Sequence, residues 1–130
     1  MNNKVLYEPG SVRGDAGILY LTKNQPAVIP FYFKIPLYDT TQETYTEYNI
    51  KSTDVIEFVF KANINLISAT IKKAYNGIVN NVAVLRLTES DMKLFANGKE
   101  YMLGVKLYDN SGKLIETLIK KLQVKIQEVV

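Results

Sequence analysis

Alternation of apolar and polar positions is clearest in the second half of the chain, and it predicts β-strands. In Asp54–Phe60 every second side chain is large and apolar, namely Ile56, Phe58 and Phe60. This is the period of two that a strand with one buried face produces. The same period predicts strands over Leu66–Lys73, Val82–Leu87 and Tyr101–Tyr108. Val82–Leu87 is apolar on both sides, which favours a central position in its sheet.

Short polar segments separate these strands and predict turns and one helix. Tyr75–Gly77 contains Asn-Gly and Asp109–Gly112 is rich in turn residues, so both predict tight turns. Thr88 precedes Asp91 by three residues, which is the spacing of a capping box. Asp is less able than Glu to reach back to the cap. We expect one helix of about two turns over Glu89–Phe95 that plugs one end of the fold.

The last segment, Lys113–Val130, fits two structures. One set of apolar residues follows a helical stripe: Leu114, Ile115, Leu118, Ile119 and Leu122. Another set fits a strand that Lys120-Lys121 interrupts: Leu118, Leu122, Val124 and Ile126. The preceding turn and the β-branched content favour the strand, with the two lysines marking a bulge or an edge kink.

The first part of the chain holds all four prolines, within residues 1–36. Since proline lacks a ladder donor, Gly17–Thr22 and Ala27–Phe33 are predicted as edge strands or as part of an extended arm. Residues 1–15 lack a regular period and are predicted to form an arm that other molecules order. Residues 16–130 then form a single domain.

Residues 34–53 form a polar stretch with three tyrosines: Tyr38, Tyr45 and Tyr48. A loop of this length is uncommon in a compact domain unless it has a function, and tyrosine is enriched in interfaces. The stretch also fits a β-hairpin of Leu37–Thr41 with Tyr45–Ile50. Both interpretations hold together if the hairpin is a docking element.

Composition excludes several classes of function. The 130 residues suit one domain, and the chain has no cysteine and no histidine. Disulfides, thiolate metal sites and the most common general base are therefore impossible, which argues against an enzyme and leaves no cofactor to expect. No apolar stretch approaches the roughly 20 residues of a membrane span. We therefore expect a soluble protein made in the cytoplasm.

Charge is weak overall but unevenly distributed. The net charge is +3; residues 37–57 hold five acids against one lysine, and residues 58–130 hold eleven bases against six acids. One copy could therefore present a surface complementary to another, although such charges are also typical of solvated strands and loops. Arg13 and Arg86 are the only arginines, so a nucleic-acid-binding face is not expected.

Short motifs add little chemistry. Arg13-Gly14-Asp15 matches an integrin-recognition tripeptide, but a glycine-rich turn explains it locally. Two glycine pairs, Gly10 with Gly14 and Gly98 with Gly104, are not phosphate loops, because neither precedes a helix with the required Lys and Ser/Thr. Tyr38, Tyr45 and Tyr48 could stack on a sugar if they lined one concave face, so a carbohydrate- or cell-surface-binding module is an alternative. A small inhibitor of a host enzyme is a third.

Four stretches in order resemble the N-terminal domain of phage upper baseplate proteins. These are an I-x-F-x-F strand, a leucine-threonine-acid turn, a tyrosine-led hairpin and a closing strand: Asp54–Phe60, Leu85–Asp91, Tyr101–Gly112 and Thr117–Val124. The resemblance implies an all-β fold, an immunoglobulin-like antiparallel β-sandwich with one short helix. Its motifs are structural and recur across sandwiches.

The resemblance also implies a role in a phage particle. Baseplate proteins of this kind continue into a stalk and distal modules, whereas the sequence ends at Val130. We therefore expect a virion structural protein, made in the host cytoplasm: a capsid decoration or head-fibre protein, or a tail or baseplate adaptor. It would be present in many copies or as a homo-oligomer and would bind other capsid or tail proteins. The expected contact residues are Tyr7, Pro9, Arg13, Tyr38, Tyr45 and Tyr48.

Overall fold

The structure, a computed structural model, describes residues 5–7, 18–62, 68–96 and 98–128. Ten strands and one helix lie in these ranges. The strands are β1 Val5–Tyr7, β2 Ile18–Thr22, β3 Ala27–Phe33, β4 Pro36–Asp39, β5 Thr44–Glu47, β6 Val55–Lys61, β7 Ile71–Tyr75, β8 Val82–Leu87, β9 Glu100–Tyr108 and β10 Leu114–Gln127, and the helix α1 is Glu89–Met92.

Two sheets pack face to face as a sandwich. One has the order β1-β3-β8 and the other the order β2-β10-β9-β6-β7, while β4 and β5 form a separate two-stranded ribbon. Phe31 of β3 and Phe58 of β6 meet between the sheets with ring centroids 5.3 Å apart. The predicted all-β sandwich with one short helix is confirmed. Two of its strand pairs, β1 with β3 and β2 with β10, are parallel.

Strands β6, β9 and β10 follow the predicted alternation. Ile56, Phe58 and Phe60 are fully buried in β6. The last segment is a strand and not a helix, and its pairing with β9 shifts register between Ile119 and Leu122. The bulge that Lys120-Lys121 predicted is therefore present, because the two exposed lysines together oppose the single residue Gly104 of β9.

The prediction that Ala27–Phe33 forms an edge strand is wrong, because β3 lies between β1 and β8. The N–H of Phe33 donates to the carbonyl of Asn81 on the β8 side. Since N–H directions alternate along a strand, the nitrogen of Pro30 faces the opposite side. There the described residues of β1 pair with residues 31–33, so the proline interrupts none of the described pairing with β1.

The central position predicted for Val82–Leu87 is also wrong, since β8 is an outer strand of the described sheet. In β8 one face is buried and the other is half-buried or exposed, and apolar residues on both sides do not show that a strand has two neighbours. A side chain satisfies part of its free edge: the Tyr75 hydroxyl accepts from the Arg86 N–H at 2.9 Å and donates to the Arg86 carbonyl at 3.3 Å. Tyr75 thus joins an edge of one sheet to an edge of the other.

The segment before β8 turns later than predicted. Tyr75 is still in β7, which begins at Ile71. Residues 66 and 67 of the predicted Leu66–Lys73 strand lie outside the described residues. Gly77 has a positive φ of 67°, as its Asn-Gly context indicates. The tight turn is at Asn80-Asn81, with φ values of 54° and 58° and a bond from the Val82 N–H to the Val79 carbonyl of 3.0 Å. Two consecutive positive φ angles are typical of a type I′ turn.

Helix α1 has the predicted cap, and Asp91 reaches back despite its shorter side chain. The Asp91 N–H donates to Thr88 Oγ1 at 3.1 Å, and the Thr88 N–H donates to Asp91 Oδ2 at 2.8 Å. The helix ends at Met92, earlier than predicted, and the chain reaches Phe95 through tighter turns. Met92 and Phe95 are buried at the end of the sandwich, as predicted.

Candidate docking site

The polar stretch after β3 forms the hairpin that the sequence predicted. Strands β4 and β5 pair antiparallel, with Leu37 opposite Thr46 and Tyr38 opposite Tyr45. The connection ends at Glu43, which has a positive φ of 54°. All four residues of β5 are exposed, and neither strand extends one of the two large sheets. The hairpin therefore presents its side chains to the surroundings of the domain.

One face of the hairpin carries a tyrosine pair. The rings of Tyr38 and Tyr45 lie 4.9 Å apart at 54°, and the two residues are 50% and 71% exposed. Glu47 lies on the same face, since alternate residues share a side. Its Oε1 accepts a 3.0 Å hydrogen bond from the Tyr32 hydroxyl of β3. We call Tyr32, Tyr38, Tyr45 and Glu47 the tyrosine face.

Tyr32 was not among the residues that the sequence indicated. The hydrogen bond to Glu47 raises the pKa of Tyr32, with smaller contributions from burial and from the carboxylate charge. Tyr32 therefore keeps its proton and fixes the carboxylate at the edge of the aromatic pair. Sequence reasoning had no means to find it, because β3 and β5 are brought together only by the fold.

Tyr48 fastens the base of the hairpin. Its N–H donates to the Ile35 carbonyl at 2.8 Å, and its hydroxyl donates to Asp54 Oδ2 at 2.6 Å. Asp54 is only 2% exposed and also accepts from the Lys51 N–H at 2.9 Å. Burial, followed by the hydrogen bond to Asp54, raises the pKa of Tyr48 to about 12. The side chain is half-buried against the core, unlike Tyr38 and Tyr45.

Asn81 also holds the base of the hairpin in place through hydrogen bonds. Its Nδ2 donates to the carbonyls of Phe33 at 3.1 Å and Tyr48 at 2.8 Å, and its Oδ1 accepts from the Ile50 N–H at 2.8 Å. One side chain, 5% exposed, thus joins the end of β3, the segment after β5 and the β8 turn. Side chains that bridge separate segments in this way hold a unique arrangement.

The structure brings together only some of the predicted contact residues. Tyr38 and Tyr45 are adjacent, whereas Tyr48 lies at the base, so two rings rather than three are available for sugar stacking. Tyr7 lies in β1, beside Phe33. Pro9 and Arg13 lie outside the described residues.

The outer face of the five-stranded sheet carries a second surface that sequence analysis did not identify. A groove of about 570 Å³ crosses β7, β6, β9 and β10. Five lysines line it, with Glu57 as the single acid among the lining residues: Lys61, Lys72, Lys106, Lys120 and Lys121. Their spacing in sequence gave no signal, because they come from four different strands.

Clusters of metal ligands and membrane-spanning helices are both absent from the described residues. In the described part of the chain, no three acidic, histidine or cysteine side chains lie close enough to hold a metal ion. No helix within the described ranges is long and apolar enough to cross a membrane.

The comparisons with known proteins give information on the fold alone. No family model matches the chain, and no curated protein matches it in sequence. Among solved structures, the chain is similar to the N-terminal domain of phage TP901-1 ORF48, with a TM-score of 0.58 and 8% sequence identity. The match covers 97% of this chain and 98% of that domain. At this identity the similarity shows a shared fold over the whole length.

Proposed function

We propose that this protein is a non-enzymatic structural component of a bacteriophage virion that docks to other virion proteins through its tyrosine face. The hairpin carries the proposal, because two adjacent exposed tyrosines stand on a base that hydrogen bonds hold in place. Full-length similarity to a phage domain supports the source, together with the sequence resemblance to phage baseplate domains.

The geometry suits docking for two reasons. A two-stranded ribbon of four residues on each side is at best marginally stable alone, so its base must position it. Tyrosines offer large contact area with few rotatable bonds, so little side-chain entropy is lost when a partner covers them. A fastened base and an exposed aromatic tip therefore lower the cost of binding.

The proposal covers a capsid decoration or head-fibre role and a tail or baseplate adaptor role. Absence of histidine and cysteine from the whole sequence supports a non-catalytic role. The site of action would be the particle, after synthesis in the host cytoplasm. Tyr7, Pro9 and Arg13 stay predicted contacts of the N-terminal segment.

The test is to replace Tyr38 and Tyr45 together by Ser and to measure how much protein co-sediments with purified particles. The matched control is Tyr20→Ser, since Tyr20 is 53% exposed but lies on β2, away from the hairpin. We expect the double variant to bind particles at least about tenfold more weakly, as for the loss of an aromatic hot spot. Its melting temperature should equal that of the control. Normal binding by the double variant would refute the proposal.

A further inference from the structure

The lysine groove has a strongly one-sided charge. Glu57 forms an ion pair with Lys72 at 3.3 Å, and this pair neutralises one of the five lysines of the groove. Within the described residues, no carboxylate lies within ion-pair distance of Lys106, Lys120 or Lys121. Lys120 and Lys121 stand at the β10 bulge, where both side chains are exposed. The groove thus concentrates unneutralised positive charge on one face of the sandwich.

The floor of the groove is partly apolar. Val59 of β6 and Met102 of β9, both half-buried, line it between the lysines. A volume of about 570 Å³ lies in the range of concave ligand sites. A partner that fits this surface would combine aromatic or aliphatic side chains with carboxylates.

The β4–β5 hairpin has this combination. Residues 36–47 contain Asp39, Glu43 and Glu47 and no lysine or arginine. Glu43 is exposed at the end of the connection, and Glu47 borders the exposed rings of Tyr38 and Tyr45. The hairpin therefore offers negative charge and aromatic area on the same short element.

We infer that the hairpin of one copy docks into the lysine groove of a second copy of this chain. The inference rests on the proposed function, since it names the partner of the same hairpin. Opposite charge supplies the attraction and the register, and the tyrosine rings cover the apolar floor. The two surfaces differ, so the contact is head-to-tail and generates a ring or an open chain of copies.

The dimensions of the two surfaces agree. Four paired residues extend about 13 Å along a strand. The groove crosses four neighbouring strands, and their three spacings amount to about 14 Å. The hairpin can therefore lie across the sheet, with Glu43 and Glu47 reaching the lysines of β9 and β10.

Charge reversal on each surface tests the inference. The groove variant is Lys120→Glu with Lys121→Glu, and the hairpin variant is Glu43→Lys with Glu47→Lys. Lys99→Glu with Lys113→Glu is the control, since both are exposed lysines outside the groove and the change in net charge equals that of the groove variant. Sedimentation velocity over a range of protein concentrations, at low and high salt, measures self-association.

We expect the wild type and the control to self-associate, and the association to weaken as salt screens the charges. Each reversed variant alone should associate at least about tenfold more weakly, because like charges then face each other. An equimolar mixture of the two variants should associate again, as should a chain that carries all four changes. A general loss of folding cannot produce this rescue.

Three results would overturn the inference: a wild type that is monomeric at low salt, a groove variant that associates normally, or a four-change chain without rescue. Particle binding separates this outcome from the fate of the proposed function. If Tyr38→Ser with Tyr45→Ser loses particle binding while the groove variant self-associates and binds normally, the proposed function stands and the second-copy partner is wrong. A groove variant that loses particle binding without any wild-type self-association would assign the groove to an acidic surface of a different virion protein.

Discussion

Removal of the Asn81 side chain should loosen the base of the hairpin at a large cost in stability. Asn81→Gly keeps a residue that adopts the φ of 58° without strain, and a glycine control in the same turn accounts for the entropy that glycine adds to the unfolded chain. Three backbone groups lose their partner: the carbonyls of Phe33 and Tyr48 and the N–H of Ile50. Each buried group left unsatisfied costs about 1–3 kcal/mol.

We expect Asn81→Gly to lower the free energy of unfolding by about 3–5 kcal/mol, since water can reach the part-buried Tyr48 carbonyl. That is a large share of the roughly 5–15 kcal/mol that stabilises a typical domain. Asn80→Gly is the matched control, because Asn80 has nearly the same φ of 54° in the same turn and its side chain is exposed. The control should stay within about 0.5 kcal/mol of the wild type.

Urea unfolding followed by far-ultraviolet circular dichroism measures both variants. The slope with urea should not change, so that the midpoint reports stability. If Asn81→Gly and Asn80→Gly differed by less than about 0.5 kcal/mol, the three hydrogen bonds would not hold the base, and the account of a fastened hairpin would fail.

Three further predictions concern the core and two titrating groups. Phe58→Ala and Leu103→Ala, both fully buried in mid-strand, should each cost about 2–5 kcal/mol in urea melts, and a cost below about 0.5 kcal/mol would place them at the surface. Burial raises the pKa of Asp91, but hydrogen bonds from Lys73 and from the helix cap outweigh burial and lower the pKa below its usual value. The wild type should therefore melt at a higher temperature than Asp91→Asn above about pH 4. This advantage should disappear as pH falls through the lowered pKa. Burial, then the hydrogen bond to Asp54, raises the pKa of Tyr48 to about 12. The stability that its hydroxyl adds should therefore be complete below about pH 10 and lost toward pH 12, and a wild type that kept its advantage over Tyr48→Phe at that pH would contradict the assignment.

The alternation of side chains predicted the strands that have one face in the core. Ile56, Phe58 and Phe60 show this in β6, and the lysine pair at residues 120–121 marked the bulge correctly. Alternation reports which face of a strand is buried, because it follows from the pleat. It does not report neighbours, and for this reason the positions of β3 and β8 in their sheet were predicted wrongly.

The candidate site could be predicted only in part, for a related reason. Tyr38 and Tyr45 are close in sequence and on a hairpin, so local turn chemistry places them together. Tyr32 and the lysines of the groove come from strands that are distant in sequence, and only the sheet order brings them together. Asn81 did have a signal, since two consecutive asparagines between valines are typical of a type I′ turn.

The pairing of β2 with β10 has a consequence for how the chain folds as it is synthesised. Ile18 pairs with Gln123, and β10 lies between β2 and β9 in the sheet. Until the ribosome has made β10, β2 lacks its one neighbour among the described strands and one edge of β9 stays open. Contacts between such distant residues close large loops and slow folding, and unpaired strand edges can join other chains. Nascent chains of this domain should therefore depend on rapid completion, or on a chaperone that covers those edges, more than chains whose neighbouring strands are consecutive.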